Sequence, residues 1–97
     1  MSVPQFVWDP VKAALNKSKH GIDFEEALTV FLDPLLLLIQ DLAHSDLEDR
    51  WIALGKSAGQ LLLVVVHTEN DLTIRIISAR KATPRETRQY ERQAQIG

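Results

Sequence analysis

The chain has 97 residues and a formal net charge of -2, with 45% apolar and 25% charged residues and no cysteine. A chain of this length holds one small core, burying roughly 60 to 65% of the surface exposed when unfolded, and excludes two folded domains. The missing cysteine removes disulfides, thiol nucleophiles and cysteine zinc sites, and the longest apolar run is far shorter than the ~20 residues that span a bilayer.

Gln5 to Trp8 predicts a short opening strand. Asp9-Pro10 ends it and starts a helix, with Asp9 as the cap and Pro10 at the first helical position, where its missing N–H costs nothing. That helix runs to about Lys19, and Gly21 closes it as a left-handed cap. Its apolar stripe, Val11, Ala14 and Leu15, is expected to face the core, while Lys12, Asn16 and Lys19 gather on another face. Asp23 is placed to cap a second helix through Phe31, whose Phe24, Ala27, Leu28 and Phe31 have core spacing. Asp33-Pro34 breaks the pattern.

Four strands are predicted next: Leu35 to about Asp41, Arg50 to Lys56, Leu61 to Thr68, and Thr73 to Lys81. Short links between the last three favour an antiparallel meander, and the run Leu61 to Val66, apolar on both faces, belongs at its centre. Thr83-Pro84-Arg85-Glu86 has the form of a capping box that opens a polar helix to about Gln95. The predicted fold is α+β, with two N-terminal helices packed on a four-stranded, mostly antiparallel sheet, a short N-terminal strand and a C-terminal helix. Strict alternation from Thr73 to Lys81 would put Arg75 on the face opposite Ser78 and Arg80. The doublet Ile76-Ile77 instead predicts a β-bulge, which turns Ile74, Ile76, Ile77 and Ala79 inward and Arg75, Ser78 and Arg80 outward together.

The chain has no phosphate-binding glycine loop, no Gly-x-Ser-x-Gly elbow and no His-Glu-x-x-His, and His20, His44 and His67 lack metal-ligand spacing. The cluster of Asp41, His44, Asp46, Glu48 and Asp49 offers carboxylate oxygens suited to a hard cation, but a charged loop between strands is more often merely solvated, and no metal or cofactor is assigned. The charge is divided unevenly: residues 1–49 hold 3 Lys/Arg and 9 Asp/Glu, net -6, and residues 50–97 hold 8 and 4, net +4. Arg85, Arg88 and Arg92 recur at i, i+3 and i+7, directly after the strand bearing Arg75, Arg80 and Lys81. Guanidinium groups match phosphate oxygens, so this stripe suits nucleic acid, an acidic protein or plain solvent. Lys12, Asn16 and Lys19 offer a second polar stripe for a phosphate backbone, although Lys19 and His20 also stand where cations offset the helix dipole. His20, as the side-chain type whose ordinary range lies nearest neutrality, is the default candidate for proton transfer. Trp8 reads as core; Trp51 and Tyr90 read as core or as stacking platforms for bases.

Phe6-Val7-Trp8-Asp9-Pro10, Lys12, Asn16, Lys19-His20-Gly21, Phe24-Glu25-Glu26-Ala27 and Phe31-x-Asp33-Pro34 lead, in order, to the motifs of the second half. Those are His44-Ser45, Glu48-Asp49-Arg50, Leu54-Gly55-Lys56-Ser57, Leu63-Val64-Val65-Val66, the run Arg75 to Thr83, Glu86 and Tyr90-Glu91. Together they resemble the BrnT toxins of bacterial toxin-antitoxin modules, over residues 6 to about 91. A cytoplasmic home is the simplest reading of the cysteine-free sequence, and the resemblance implies a RelE-like fold and a ribonuclease that arrests translation. It also implies neutralisation by a BrnA-type ribbon-helix-helix antitoxin, through which alone the toxin meets DNA; no membrane partner is expected.

Joined to the residue reading, the implied chemistry is metal-independent cleavage of RNA by its own 2′-hydroxyl. Arg75 and Arg80 are expected to stabilise the phosphate with Lys19 assisting, Glu48 or His20 to act as base or acid, and Ser78 to donate a positioning hydrogen bond. Lys12, Asn16, Arg50, Lys81, Arg85 and Arg88 are the expected RNA contacts. The competing class is a non-catalytic module for an acidic protein or nucleic-acid partner, and a third is a metal-dependent nuclease built on the loop from Asp41 to Asp49.

Overall fold

The structure is a computed structural model that describes residues 3–44 and 49–96, with backbone alone for His44 and residues 94–96. In chain order the elements are β1 (Gln5–Val7), α1 (Pro10–His20), α2 (Phe24–Leu28), β2 (Leu37–Gln40), β3 (Arg50–Lys56), β4 (Leu62–Asn70), β5 (Thr73–Lys81) and α3 (Pro84–Ile96). The sheet order is β1-β5-β4-β3-β2. The last three links of that order are antiparallel, and β4 is central as its two apolar faces require. The sheet has five strands rather than the expected four, because β1 adds to the far edge parallel to β5, with Phe6 opposite Ile74.

The helix boundaries follow from their caps. The Asp9 carboxylate accepts the Val11 N–H at 2.8 Å, and Gly21 ends α1 at φ 73° with its N–H on the Lys17 carbonyl. Asp23 precedes α2 without a side-chain capping bond; its carboxylate instead pairs with Lys17 Nζ at 3.2 Å. α2 tightens into a 3₁₀ turn over Thr29–Leu32. Strand β2 begins at Leu37 rather than Leu35, because Asp33 holds a turn: its carboxylate accepts the Leu35 N–H and its carbonyl the Leu36 N–H. At α3, the Thr83 N–H donates to Glu86 and the Glu86 N–H to Thr83 Oγ1, the reciprocal capping box the sequence predicts.

One face of the sheet carries the main core. Ile22, Phe24, Ala27 and Val30 pack on Ala53, Leu63, Val65, Ile76 and Ala79, flanked by Phe6, Trp8 and Phe31. Trp8 meets the Phe24 ring edge-on at 5.9 Å, and is thus part of this core as expected. On the opposite face, α3 seats the buried Tyr90 against Leu54 and Val64, bordered by Leu37, Ile52, Leu62 and Ala82.

The packing of α1 departs from the expected amphipathic stripe. Val11 is 66% and Leu15 64% exposed, whereas Asn16 is only 6% exposed. The reason lies in the edge of β5, which runs past the short β1 and presents the backbone of Ala79 without a strand beside it. Asn16 takes that strand's place: its Nδ2 donates to the Ala79 carbonyl at 2.9 Å and to the Ile22 carbonyl at 3.0 Å, and its Oδ1 accepts the Ala79 N–H at 3.0 Å. A buried amide must be satisfied, and an apolar side chain cannot do it. Asn16 is therefore a structural bridge and does not form an exposed phosphate stripe with Lys12 and Lys19.

Candidate functional site

The bulge decides the site. Val66 pairs with Ser78 and His67 with Ile76, so Ile77 is the extra residue in β5 and has no opposite number on β4. Arg75, Ser78 and Arg80 consequently share one face, as the isoleucine doublet predicts. Because side chains alternate along a strand, the register places Arg50, Thr68 and Arg75 in one row across β3, β4 and β5 on that face. The next row is Ile52, Val66 and Ser78, and the third is Leu54, Val64 and Arg80.

α3 closes the third row through Tyr90, while the row of arginines lies beyond that packing cluster. Arg75 is exposed and Arg50 half-buried. A groove beside Arg75 is lined by Val7, Trp8, Asp9, Lys12, Ile76 and Ile77, so Lys12 and Arg75 stand on one concave surface at the β1 edge. The groove and the first row thus bring Lys12, Arg50 and Arg75, together with Asp9, to one end of the sheet, and cations of this kind draw a phosphate chain.

Arg80 shares the face but is engaged elsewhere. Its two terminal nitrogens donate to the two oxygens of Glu86 at 2.8 and 2.9 Å, a bidentate pair at the start of α3. The pair raises the Arg80 pKa, and the Arg80 hydrogen bonds hold the Glu86 carboxyl down to about 2. Arg80 thus ties strand to helix on the face it shares with Arg75.

Other expected residues fall away from this end. α1 runs alongside β5 in the same direction, with Lys12 near Arg75 and Asn16 at Ala79, so Lys19 and His20 lie beyond Ala79 at the opposite end. Lys81 alternates with Arg80 and belongs to the face that α1 and α2 cover. Arg85 and Arg88 are exposed on α3, outside its buried Tyr90 side. Glu48 lies outside the described residues. Among the described residues, no three His, Asp or Glu side chains gather to hold a metal ion, and no helix is long and apolar enough to cross a membrane.

Sequence reasoning passed over Thr68, which sits between the two arginines of the first row. The signal was present: Leu62, Val64, Val66 and Thr68 share a face by period two, and Thr68 is the polar residue that ends an apolar file. Tyr90, left open between core and base stacking, is core. Its hydroxyl donates to Asp33 Oδ2 at 2.5 Å, and Asp33 also accepts the Lys56 N–H at 2.8 Å.

A family profile described as the ribonuclease toxin BrnT of type II toxin-antitoxin systems matches residues 8–86. Among solved structures, the fold is similar to the crystal structure of the Brucella abortus ribonuclease toxin BrnT, with a TM-score of 0.65 and 24% identity over 84% of this chain and 99% of that one. No curated protein matches the sequence. The profile spans most of the chain, including the bulged strand and its arginine, and the chain belongs to the BrnT family of ribonuclease toxins of type II toxin-antitoxin systems.

Proposed function

We propose that this chain cleaves RNA on the sheet face carrying Arg50, Arg75 and Ser78, without a metal, and thereby arrests translation. The observation that carries the reading is the bulge at Ile77, which brings Arg75 and Ser78 onto the sheet face that also carries Arg50. In the reaction the RNA 2′-hydroxyl gives up its proton to a base and its oxygen bonds to phosphorus. The bond from phosphorus to the 5′-oxygen then breaks, and that oxygen takes a proton from an acid, leaving a 2′,3′-cyclic phosphate and a 5′-hydroxyl. Arg75 and Arg50 balance the negative charge that grows on the phosphate, Lys12 extends the positive surface along the strand edge, and Ser78 donates a hydrogen bond. With His20 at the far end of β5, Glu48 is the carboxylate we assign to proton transfer, two residues ahead of Arg50 in sequence. A BrnA-type antitoxin silences the activity.

The test is induced expression in a bacterial host together with cleavage of defined RNA by purified protein in the presence of chelator. Wild type is expected to arrest growth and leave cyclic phosphate ends, while Arg75→Ala loses at least about 100-fold in rate. Retained cleavage by both Arg75→Ala and Arg50→Ala would overturn the assignment of the face, and cleavage abolished by chelator would overturn the metal-independent step.

A further inference from the structure

Thr68 stands between Arg50 and Arg75 in register with both. The residue is only 5% exposed. Its hydroxyl meets no hydrogen-bond partner among the described residues, yet is not one of the atoms closed off from solvent. Packing does not explain a hydroxyl here, since the file below it on this face is Leu62, Val64 and Val66, and valine would fill the position equally well. Local bonding does not explain it either. The hydroxyl, left to solvent at the floor of a charged row, is placed to donate to a ligand group that displaces that solvent.

The row supplies the chemistry of that group. Neighbouring strands lie about 4.8 Å apart, so the backbones of Arg50 and Arg75 stand about 10 Å apart with a short side chain between them. Two long cations flanking a short hydroxyl make a trough that is basic on both walls and donates from its floor. That arrangement suits a tetrahedral anion with two free oxygens: each guanidinium reaches it from a side, and the floor donor fixes its rotation.

We infer that Thr68 donates its hydroxyl hydrogen bond to a non-bridging oxygen of the phosphodiester held between Arg50 and Arg75, and orients that phosphate for attack by the neighbouring 2′-hydroxyl. The inference rests on the cleavage reading and adds a contact to it. Thr68→Val keeps shape and strand preference and removes only the donor; Thr68→Ser keeps the donor. Thr68→Val is expected to lower kcat about 10- to 100-fold with no loss of thermal stability, and Thr68→Ser to stay within about threefold of wild type.

Substrates with sulfur in place of one or the other non-bridging oxygen give the decisive readout. Wild type is expected to be slowed selectively by one diastereomer, and Thr68→Val to lose that selectivity. Full activity of Thr68→Val, equal impairment of Thr68→Ser, or selectivity unchanged in Thr68→Val would each overturn the contact. If wild type cleaves no RNA, binding of an oligonucleotide with 2′-deoxy sugars separates the two ideas. Weaker binding by Thr68→Val alone upholds the contact while the cleavage reading falls, and equal binding by all three proteins rejects both.

Discussion

Arg80 and Glu86 form a two-pronged ion pair, at 2.8 and 2.9 Å, across the junction between the last strand and the last helix. Glu86 also accepts the Thr83 N–H, so one carboxylate caps α3 and moors it to β5. Arg80→Ala and Glu86→Ala are therefore expected to lower stability by similar amounts, about 1 kcal/mol each after solvent screening. Because the Glu86 carboxyl is held at about 2, below its ordinary 4.5, this contribution is complete above pH 4.5 and is lost as pH falls toward 2. Denaturant unfolding at pH 7 and pH 3 checks both statements, and a fully stable Arg80→Ala protein that cannot cleave RNA would return Arg80 to the phosphate.

The Asn16 bridge predicts an unusual order of severity. Asn16→Ala strands the N–H and C=O of Ala79 and is expected to cost about 2–4 kcal/mol. Asn16→Asp, nearly the same shape, is expected to cost more, since a carboxylate oxygen would replace the Nδ2 donor that faces two carbonyls. Midpoints of urea unfolding for the two variants decide the order. A milder effect of the aspartate would show that the amide is not donating as described.

Tyr90 is the only tyrosine in the chain, so its ionisation can be followed by ultraviolet absorbance without interference. Burial first, and then the hydrogen bond to the Asp33 carboxylate, push its hydroxyl up to about 12 from 10.0. Asp33→Asn is expected to move the titration midpoint back toward 10.0, leaving the part due to burial. Tyr90→Phe is expected to cost about 2 kcal/mol, the scale of a hydrogen bond to a charged group.

His67 lies wholly within the core, with its ring edge-on to Phe31 at 4.9 Å and its Nε2 3.2 Å from Glu69. Burial lowers its pKa from 6.5 and outweighs the opposing pull of Glu69. The unfolded chain thus takes up a proton near pH 6.5 that the folded chain resists, so stability rises with pH through that range and falls on acidification. Unfolding free energies at pH 5.5 and 7.5 are expected to differ in wild type and to converge in His67→Phe. An equal pH dependence in both would assign it to other groups.

Much of the fold was legible because it rests on local chemistry. Asp9, Pro10 and Gly21 bound α1, Thr83 and Glu86 cap α3, and the doublet Ile76-Ile77 marks the bulge that turns Arg75 and Ser78 to one face. The stripe of Val11, Ala14 and Leu15 misled, since periodicity identifies an apolar face without saying what another element presents to the helix. At the edge of β5 that need is polar, and Asn16 meets it.

The candidate site divides along the same line. Charge and spacing alone identified the basic second half, the bulged strand and the family resemblance, since these depend on residue type and order along the chain. Only the tertiary structure separated Arg75 from Arg80, moved Lys19 and His20 to the far end of β5, and set Thr68 between two arginines. Strand register and a salt bridge six residues apart depend on which backbone lies beside which, and that is fixed by packing of the whole chain rather than by any local pattern.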